Sequence, residues 1–285
     1  MQNMSERAFA VIGYPIGHTM SPFIHEKLFA LAGKTASYGV YQVAPEELEE
    51  FAAGALSHLD GYNVTIPHKE AVMQYLDDFD PKARLYGSVN TVKCGKRKIG
   101  YTTDPEGFTR ALENAHIPLA GHCVILGCGG VARVMAVEAA LAGCRVTIAS
   151  RAQSIARAQK LCADVCRIVP DASVSICGMD QVGGEIDLLV NATPVGMYPR
   201  VEESPVPMEA LRKTANLFDA IYNPDKTKLM RMAASVGARV LGGMPMLVWQ
   251  AAVAQGIWNG SSFLPRDIDN LCKAAEEEVR RRFSK

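Results

Sequence analysis

The sequence predicts an α/β protein of two units, closed by two terminal helices. Three observations predict it. Short strands rich in β-branched residues alternate with helices, an order that requires crossover connections and a mainly parallel sheet. The alternation breaks once, in "SVNTVKCGKRKIGYTT" (88–103), which reads as two strands joined by a turn at Gly95 to Lys98. It restarts after residue 121 with strand, glycine turn, helix and strand.

The elements follow in order. "FAVIGYP" (9–15) is a strand and a turn, and "SPFIHEKLFALAG" (21–33) a helix with Ser21 as N-cap, Pro22 at its first position and Gly33 as its stop. "YGVYQV" is a strand, and "APEELEEFAAGAL" a helix with acidic residues in its first turn. "LDGYNVTIP" ends a buried strand at Val64, Thr65 and Ile66, where Pro67 stops the ladder because it has no N–H to give. Lys69 comes just after, at the end of the strand where α/β proteins place their ligands. "KEAVMQYLD" is expected to be helical, as is "DPEGFTRALENA". Beyond the restart come the strands "VSICG", "IDLLVN", "NLFDA" and "RVL", the helix "TKLMRMAASVGA", and the final helices "PMLVWQAAVAQGIWNG" and "RDIDNLCKAAEEEVRRRF". Those last helices are expected to fold back onto the first unit.

Gly127, Gly129 and Ala132 spell G-x-G-x-x-A, with Gly130 beside the second glycine. The motif follows the strand "CVIL" and opens a helix. This is the context in which glycines bring backbone close to a pyrophosphate and a helix N-terminus supplies its donors. The second unit is therefore expected to be a Rossmann-type dinucleotide-binding domain. The next strand ends in Ala149, Ser150 and Arg151, with no carboxylate until Asp164. A carboxylate there holds a free ribose diol. Arg151 suits a 2′-phosphate instead, so the expected cofactor is NADP, with Ser150 beside it.

Thirty basic and thirty acidic residues cancel, which gives no support to a nucleic-acid or membrane-surface binder. No run approaches the roughly 18 apolar residues of a membrane span. "MQNMSERAFAVIGYP" lacks the basic start and apolar core of a signal peptide, so a cytoplasmic protein is expected. The eight cysteines form no CxxC and read as reduced thiols. His18, His25 and His68 have no ligand spacing with carboxylates, and no metal is expected.

Seven blocks, in order, resemble the shikimate dehydrogenase family: "GYPIGHTMSPFIH", "GYNVTIPHK", "GSVNTV", "GYTTDPEGF", "NATPVGM", "DAIYNPDKTKL" and "MLVWQAA". The resemblance covers nearly the whole chain. It implies a substrate-binding catalytic domain over 1–105 and 245–285 and an NADP-binding Rossmann domain over 106–244. It also implies a cleft between them, reversible NADPH-dependent reduction of 3-dehydroshikimate to shikimate, and a monomer or homodimer working on a small-molecule substrate. It gives catalytic positions to Lys69 and Asp104. Thr65 and Asn90 are to meet substrate hydroxyls, Gln250 is to reach the substrate from the returning helix, and Tyr222 is to approach from the cofactor domain. Thr19 and Ser21 are to hold the substrate carboxylate, which also suits hydroxyls at a helix N-terminus. Thr193, Pro194, Gly196 and Gly243 fall on the cofactor side.

Each position has a plainer reading: Ser21 and Asp104 as caps, Asn90 as a turn residue, Gln250 as a polar helix face. The chain departs from the family pattern at Thr19 for Ser, Thr102 for Asn and Gln255 for Phe, the last expected to be a packing change. The methyl of Thr19 bears on shikimate against quinate. Two other functions stay open: an NAD-using quinate/shikimate dehydrogenase, and a silent shikimate- or quinate-sensing module.

Overall fold

The computed structural model describes residues 7–17 and 19–283, the side chains of residues 55 and 57 apart. His18 lies outside the described residues. The chain divides into two compact units, Met1–Gly107 with Val248–Leu271, and Phe108–Leu247 with Cys272–Lys285. The sequence reading placed all of 245–285 in the first domain, whereas the last stretch groups with the second unit. One cause is the ion pair from Arg280 Nη1 to Asp225 Oδ2 at 2.6 Å.

The first unit runs β1 (Arg7–Gly13), α1 (Ser21–Leu31), β2 (Ala36–Gln42), α2 (Leu48–Ala53), β3 (Gly61–Val64), β4 (Asp78–Phe79), α3 (Pro81–Tyr86), β5 (Thr91–Lys93) and β6 (Ile99–Tyr101), and holds the start of α4 (Asp104–Asn114). Its sheet order is β2-β1-β3-β5-β6-β4. β1 pairs in parallel with β2 and β3, while β5 runs antiparallel to β3 and β6. The antiparallel pairs come from the break in the alternation at 88–103.

Three local expectations are corrected. Residues 69–77 do not form an α-helix; they make a short 3-10 stretch, Ala71–Tyr75. Asp77 ends it by pairing with Lys98 through both its backbone N–H (2.9 Å) and its carboxylate (2.6 Å), which pulls the chain out into β4. β3 stops at Val64, and Ile66 is 66% exposed despite its β-branched side chain, because His68 N–H turns back to Thr65 O at 3.0 Å. The N-cap of α1 is Met20, so Ser21 opens the helix instead of capping it.

The second unit carries β7 (His122–Leu126), α5 (Gly130–Leu141), β8 (Arg145–Ser150), α6 (Ile155–Ile168), β9 (Val174–Gly178), β10 (Ile186–Asn191), β11 (Thr214–Asp219), α7 (Lys228–Ser235) and β12 (Arg239–Leu241). Its sheet is parallel throughout, in the order β12-β11-β10-β7-β8-β9. Counted from β7 this is 6-5-4-1-2-3, the doubly wound Rossmann order, with its switch point between β7 and β10. Val124, Leu126, Leu189 and Leu217 fill the core on one face.

α8 (Met244–Asn259) and α9 (Pro265–Phe283) complete the chain. Within the first unit, Trp258 of α8 packs 4.7 Å from Phe9 and donates its Nε1–H to Val92 O at 2.9 Å. Gly61 makes room for it: a Cβ there would stand 2.5 Å from Trp258 Nε1. No described helix is long and apolar enough to cross a membrane.

Candidate active site

In the first unit the turn after β3 and the start of α4 bring Lys69 and Asp104 together. Lys69 Nζ donates to Asp104 Oδ2 at 2.6 Å, with both side chains mostly buried. Asp104 Oδ1 accepts from Asn90 Nδ2 at 2.8 Å. Asn90 is fixed in turn: Thr103 N–H donates to its Oδ1 at 2.8 Å, and Nδ2 also reaches Thr103 Oγ1 at 3.0 Å. The Asp104 carboxylate thus has Lys69 on one oxygen and Asn90 on the other. Thr103 Oγ1 donates to Gln250 Oε1 at 3.3 Å, linking α8 to the same cluster. Lys69 is held from behind, its carbonyl accepting Val89 N–H at 2.8 Å. Thr65 is half-buried at the end of β3, with its N–H on Ile12 O at 2.9 Å.

Thr19 and Ser21 form a second cluster at the N-terminus of α1. The Thr19 hydroxyl donates to Ser21 Oγ at 3.1 Å and accepts Ser21 N–H at 3.1 Å. Two hydroxyls and a positive helix end therefore share one place, which suits a carboxylate.

Sequence reasoning missed what lies behind them. Tyr38 of β2 donates to Asn63 Oδ1 at 2.7 Å and stacks on His25 at 4.4 Å. Burial pushes its pKa up, against a smaller opposite pull from a hydrogen bond with Ser21. Gln255 is not a packing change: it is fully buried and bonds His25 Nδ1 at 3.0 Å. The direction of this chain is fixed by its end. Arg7 can only donate, and it donates to Asn259 Oδ1. Asn259 Nδ2 then donates to Gln255 Oε1 at 2.6 Å, so Gln255 Nε2 must donate to His25. Burial lowers the His25 pKa to about 3, against a smaller raising pull from Asn63. A signal existed: two amides, Gln255 and Asn259, stand i, i+4 on a helix that is mostly apolar apart from Gln250.

In the second unit the glycine turn lies at the end of β7. Gly127 has φ +106°, and a Cβ there would press on Thr193 Cγ2 at 3.0 Å and Ala192 O at 3.2 Å. Gly129 and Gly130 differ: a Cβ on either would meet nothing within 4 Å. The fold does not need glycine at these two positions, but a pyrophosphate lying against the start of α5 does. Ala132 is fully buried where α5 packs on the sheet. The residues present therefore fit a dinucleotide. A concavity of about 480 Å³ follows at the ends of β8 and β9, lined by Ser150, Arg151, Ala152, Ile155, Cys177 and Met179. Arg151 is exposed there, and the buried Ser150 Oγ has no protein partner.

Beyond β10, the Thr193 N–H and hydroxyl both donate to Asn191 Oδ1, at 3.1 and 2.7 Å. Pro194 is exposed, and Gly196 turns with φ +96°. Gly243 has a packing reason of its own, since a Cβ would fall 2.2 Å from Ala220 O. Tyr222 is half-buried in this unit, with its pKa raised by burial. No group of histidine, cysteine and carboxylate side chains among the described residues could hold a metal ion.

Residues 11–92 match the family model described as the shikimate dehydrogenase substrate binding domain. The shikimate dehydrogenase (NADP(+)) of Symbiobacterium thermophilum is 42% identical over 265 residues, which is 89% of each chain. A crystal structure of a shikimate dehydrogenase in complex with NADP+ superimposes with a TM-score of 0.88 at 35% identity, covering 96% of this chain and 97% of that one. The shikimate 5-dehydrogenase of Thermus thermophilus, solved with NADP(H) and shikimate, gives 0.82 at 32% identity, covering 94% and 99%.

Proposed function

The chain belongs to the shikimate dehydrogenase family, and on that premise we propose how its own residues divide the work of the reaction. The activity is the NADP-dependent, reversible reduction of 3-dehydroshikimate to shikimate in aromatic amino-acid biosynthesis. Bound NADPH supplies the hydride to the ketone carbon.

As the ketone is reduced, negative charge grows on its oxygen and must be met by a donor. Lys69 Nζ carries the proton for that oxygen, and in the reverse direction takes it back. Asp104 keeps the ammonium aimed, and Asn90 keeps Asp104 aimed. Thr65 and Gln250 orient the ring by its hydroxyls; a hydroxyl that reaches Asn90 shares an amide already turned toward Asp104. Thr19 and Ser21 hold the carboxylate at the far end of the molecule. This contact is the same in ground and transition states and therefore serves binding. On the dinucleotide side, the turn Gly127, Gly129, Gly130 and Ala132 receives the pyrophosphate, Ser150 and Arg151 the ribose phosphate, and Thr193, Pro194 and Gly196 border the nicotinamide, with Gly243 and Tyr222 near. The first unit is thus the substrate domain and the second the cofactor domain. The protein acts as a monomer or homodimer in the cytoplasm, and its eight cysteines, none of them in a disulfide, suit a reducing compartment.

One observation carries this reading: the 2.6 Å bond between Lys69 and an aspartate whose other oxygen is already held by Asn90. Groups that act as one device lose rate non-additively. In a cycle of Lys69→Ala, Asp104→Ala and the double variant, kcat of the double should match that of the worse single variant. Additive losses would mean that the two residues work apart.

A further inference from the structure

The family reading gives no task to the most deeply buried carboxylate of the second unit. Asp219 ends β11, pairs in register with Asn191 of β10, and is 0% exposed. A buried carboxylate is costly unless hydrogen-bonded. Asp219 accepts three bonds from neutral donors: Asn191 Nδ2 at 2.9 Å, Ile221 N–H at 3.1 Å and Thr227 Oγ1 at 2.7 Å. Burial still raises its pKa, to about 6.

We propose that Asp219 is a positioning residue for the nicotinamide-side loop, setting the polarity of Asn191 and through it the two donors of Thr193. An asparagine amide can present either end to a neutral neighbour. A carboxylate only accepts, so it compels Asn191 to turn Nδ2 inward and Oδ1 outward. Oδ1 then takes both the N–H and the hydroxyl proton of Thr193. With its proton committed, Thr193 Oγ1 is left to accept Val195 N–H at 3.2 Å, which shapes the next step of the loop. The loop lies at the switch point of the sheet, with Thr193 Cγ2 and Ala192 O set against Gly127. The third bond serves another element. Thr227 is the N-cap of α7, accepting Met230 N–H at 3.1 Å while it donates to Asp219.

The inference rests on the reading that Thr193 to Gly196 border the nicotinamide. That half of the cofactor is common to NADP and NAD, so the expected signature differs from that of Arg151. Dissociation constants for NADP+, NAD+ and shikimate, measured separately by calorimetry together with Tm, should show Asp219→Asn weakening both dinucleotides by roughly tenfold. The same variant should leave shikimate within twofold. Thr227→Val, which removes the cap of α7 and its bond to Asp219 but leaves the Asn191 bond in place, should lower Tm and leave both dinucleotides within twofold. Unchanged dinucleotide binding in Asp219→Asn, or an equal loss in Thr227→Val, would overturn the positioning role. Thr193→Val tests the loop itself. If it weakens the dinucleotides and Asp219→Asn does not, the loop reading stands and the inference falls. If neither variant weakens them, both fall. If only Asp219→Asn does, the carboxylate acts by another route and the proposal is again overturned.

Discussion

The two units bury polar groups with opposite charge logic. The first buries a base, His25, behind the Thr19–Ser21 cluster and keeps it neutral with a pKa near 3. The second buries an acid, Asp219, behind the loop after β10 and raises its pKa to about 6. The sheets differ in the same spirit. The parallel sheet of the second unit offers one switch point and gathers its candidate residues at strand ends. The mixed sheet of the first unit offers irregular backbone instead, and its key side chains stand on the turns around β3, β5 and α4.

The comparison breaks first at Lys69. If the first unit owns the chemical step, Lys69→Ala should reduce kcat by roughly 10²- to 10⁴-fold, while the dissociation constants of shikimate and NADP+ stay within a few-fold. Steady-state rates and calorimetry check this, and a variant that keeps more than half of the turnover removes the assignment.

If the second unit owns cofactor choice, Arg151→Ala should lower kcat/KM with NADP roughly ten- to a hundredfold, the loss of a bond to a charged group. NAD has no phosphate at that place and should lose almost nothing. Equal losses with both cofactors would mean that the end of β8 does not read the phosphate.

Linkage separates the units next. His25 has a folded pKa below its unfolded value of about 6.5, so the unfolded chain binds the extra proton as pH falls. Its contribution to stability is present above that value and is lost toward pH 3, about 2 kcal/mol of it between pH 7 and pH 5. Urea unfolding of wild type against His25→Gln at both pH values should show this difference shrinking in acid. Asp219 carries the opposite sign. Its folded pKa lies above the unfolded value of about 3.9, so its contribution rises on acidification by about 1 kcal/mol over the same interval. Asp219→Asn should remove that gain. If the two variants moved stability with pH in the same direction, the opposition between the units would be lost.

Much of the fold and part of the site were legible in the sequence. Lys69, Asp104 and Asn90 lie within a few dozen residues of one another; the end of a strand pointed to Lys69, and the family resemblance gave all three their positions. The glycine turn was legible because its context, strand then helix, is local. What could not be read was long-range and polar. Nothing near Asp77 says that it will pair with Lys98 and cut a helix to a 3-10 stretch. Gln255 reads from the sequence as a packing change, because its partner His25 is 230 positions away. Asp219 sat unremarked inside a quoted block, since the donors that explain it arrive from other strands and loops.

The return of α8 has a consequence in time. Trp258 supplies the partner of the Val92 carbonyl and fills the space over Gly61, yet it is translated after the last strand of the second unit, which ends at Leu241. At about 5–20 residues per second, a ribosome needs on the order of ten seconds to pass from β6 to Trp258. Throughout that interval the emerging chain holds all six strands of its first sheet and lacks the indole that closes over them. The Rossmann sheet, by contrast, has every strand it needs before Trp258 is made. The nascent polypeptide therefore reaches Trp258 with its parallel sheet complete in strands and its first sheet uncovered since Tyr101, and the first unit closes at Leu271 while the second still lacks its last stretch, Cys272–Lys285.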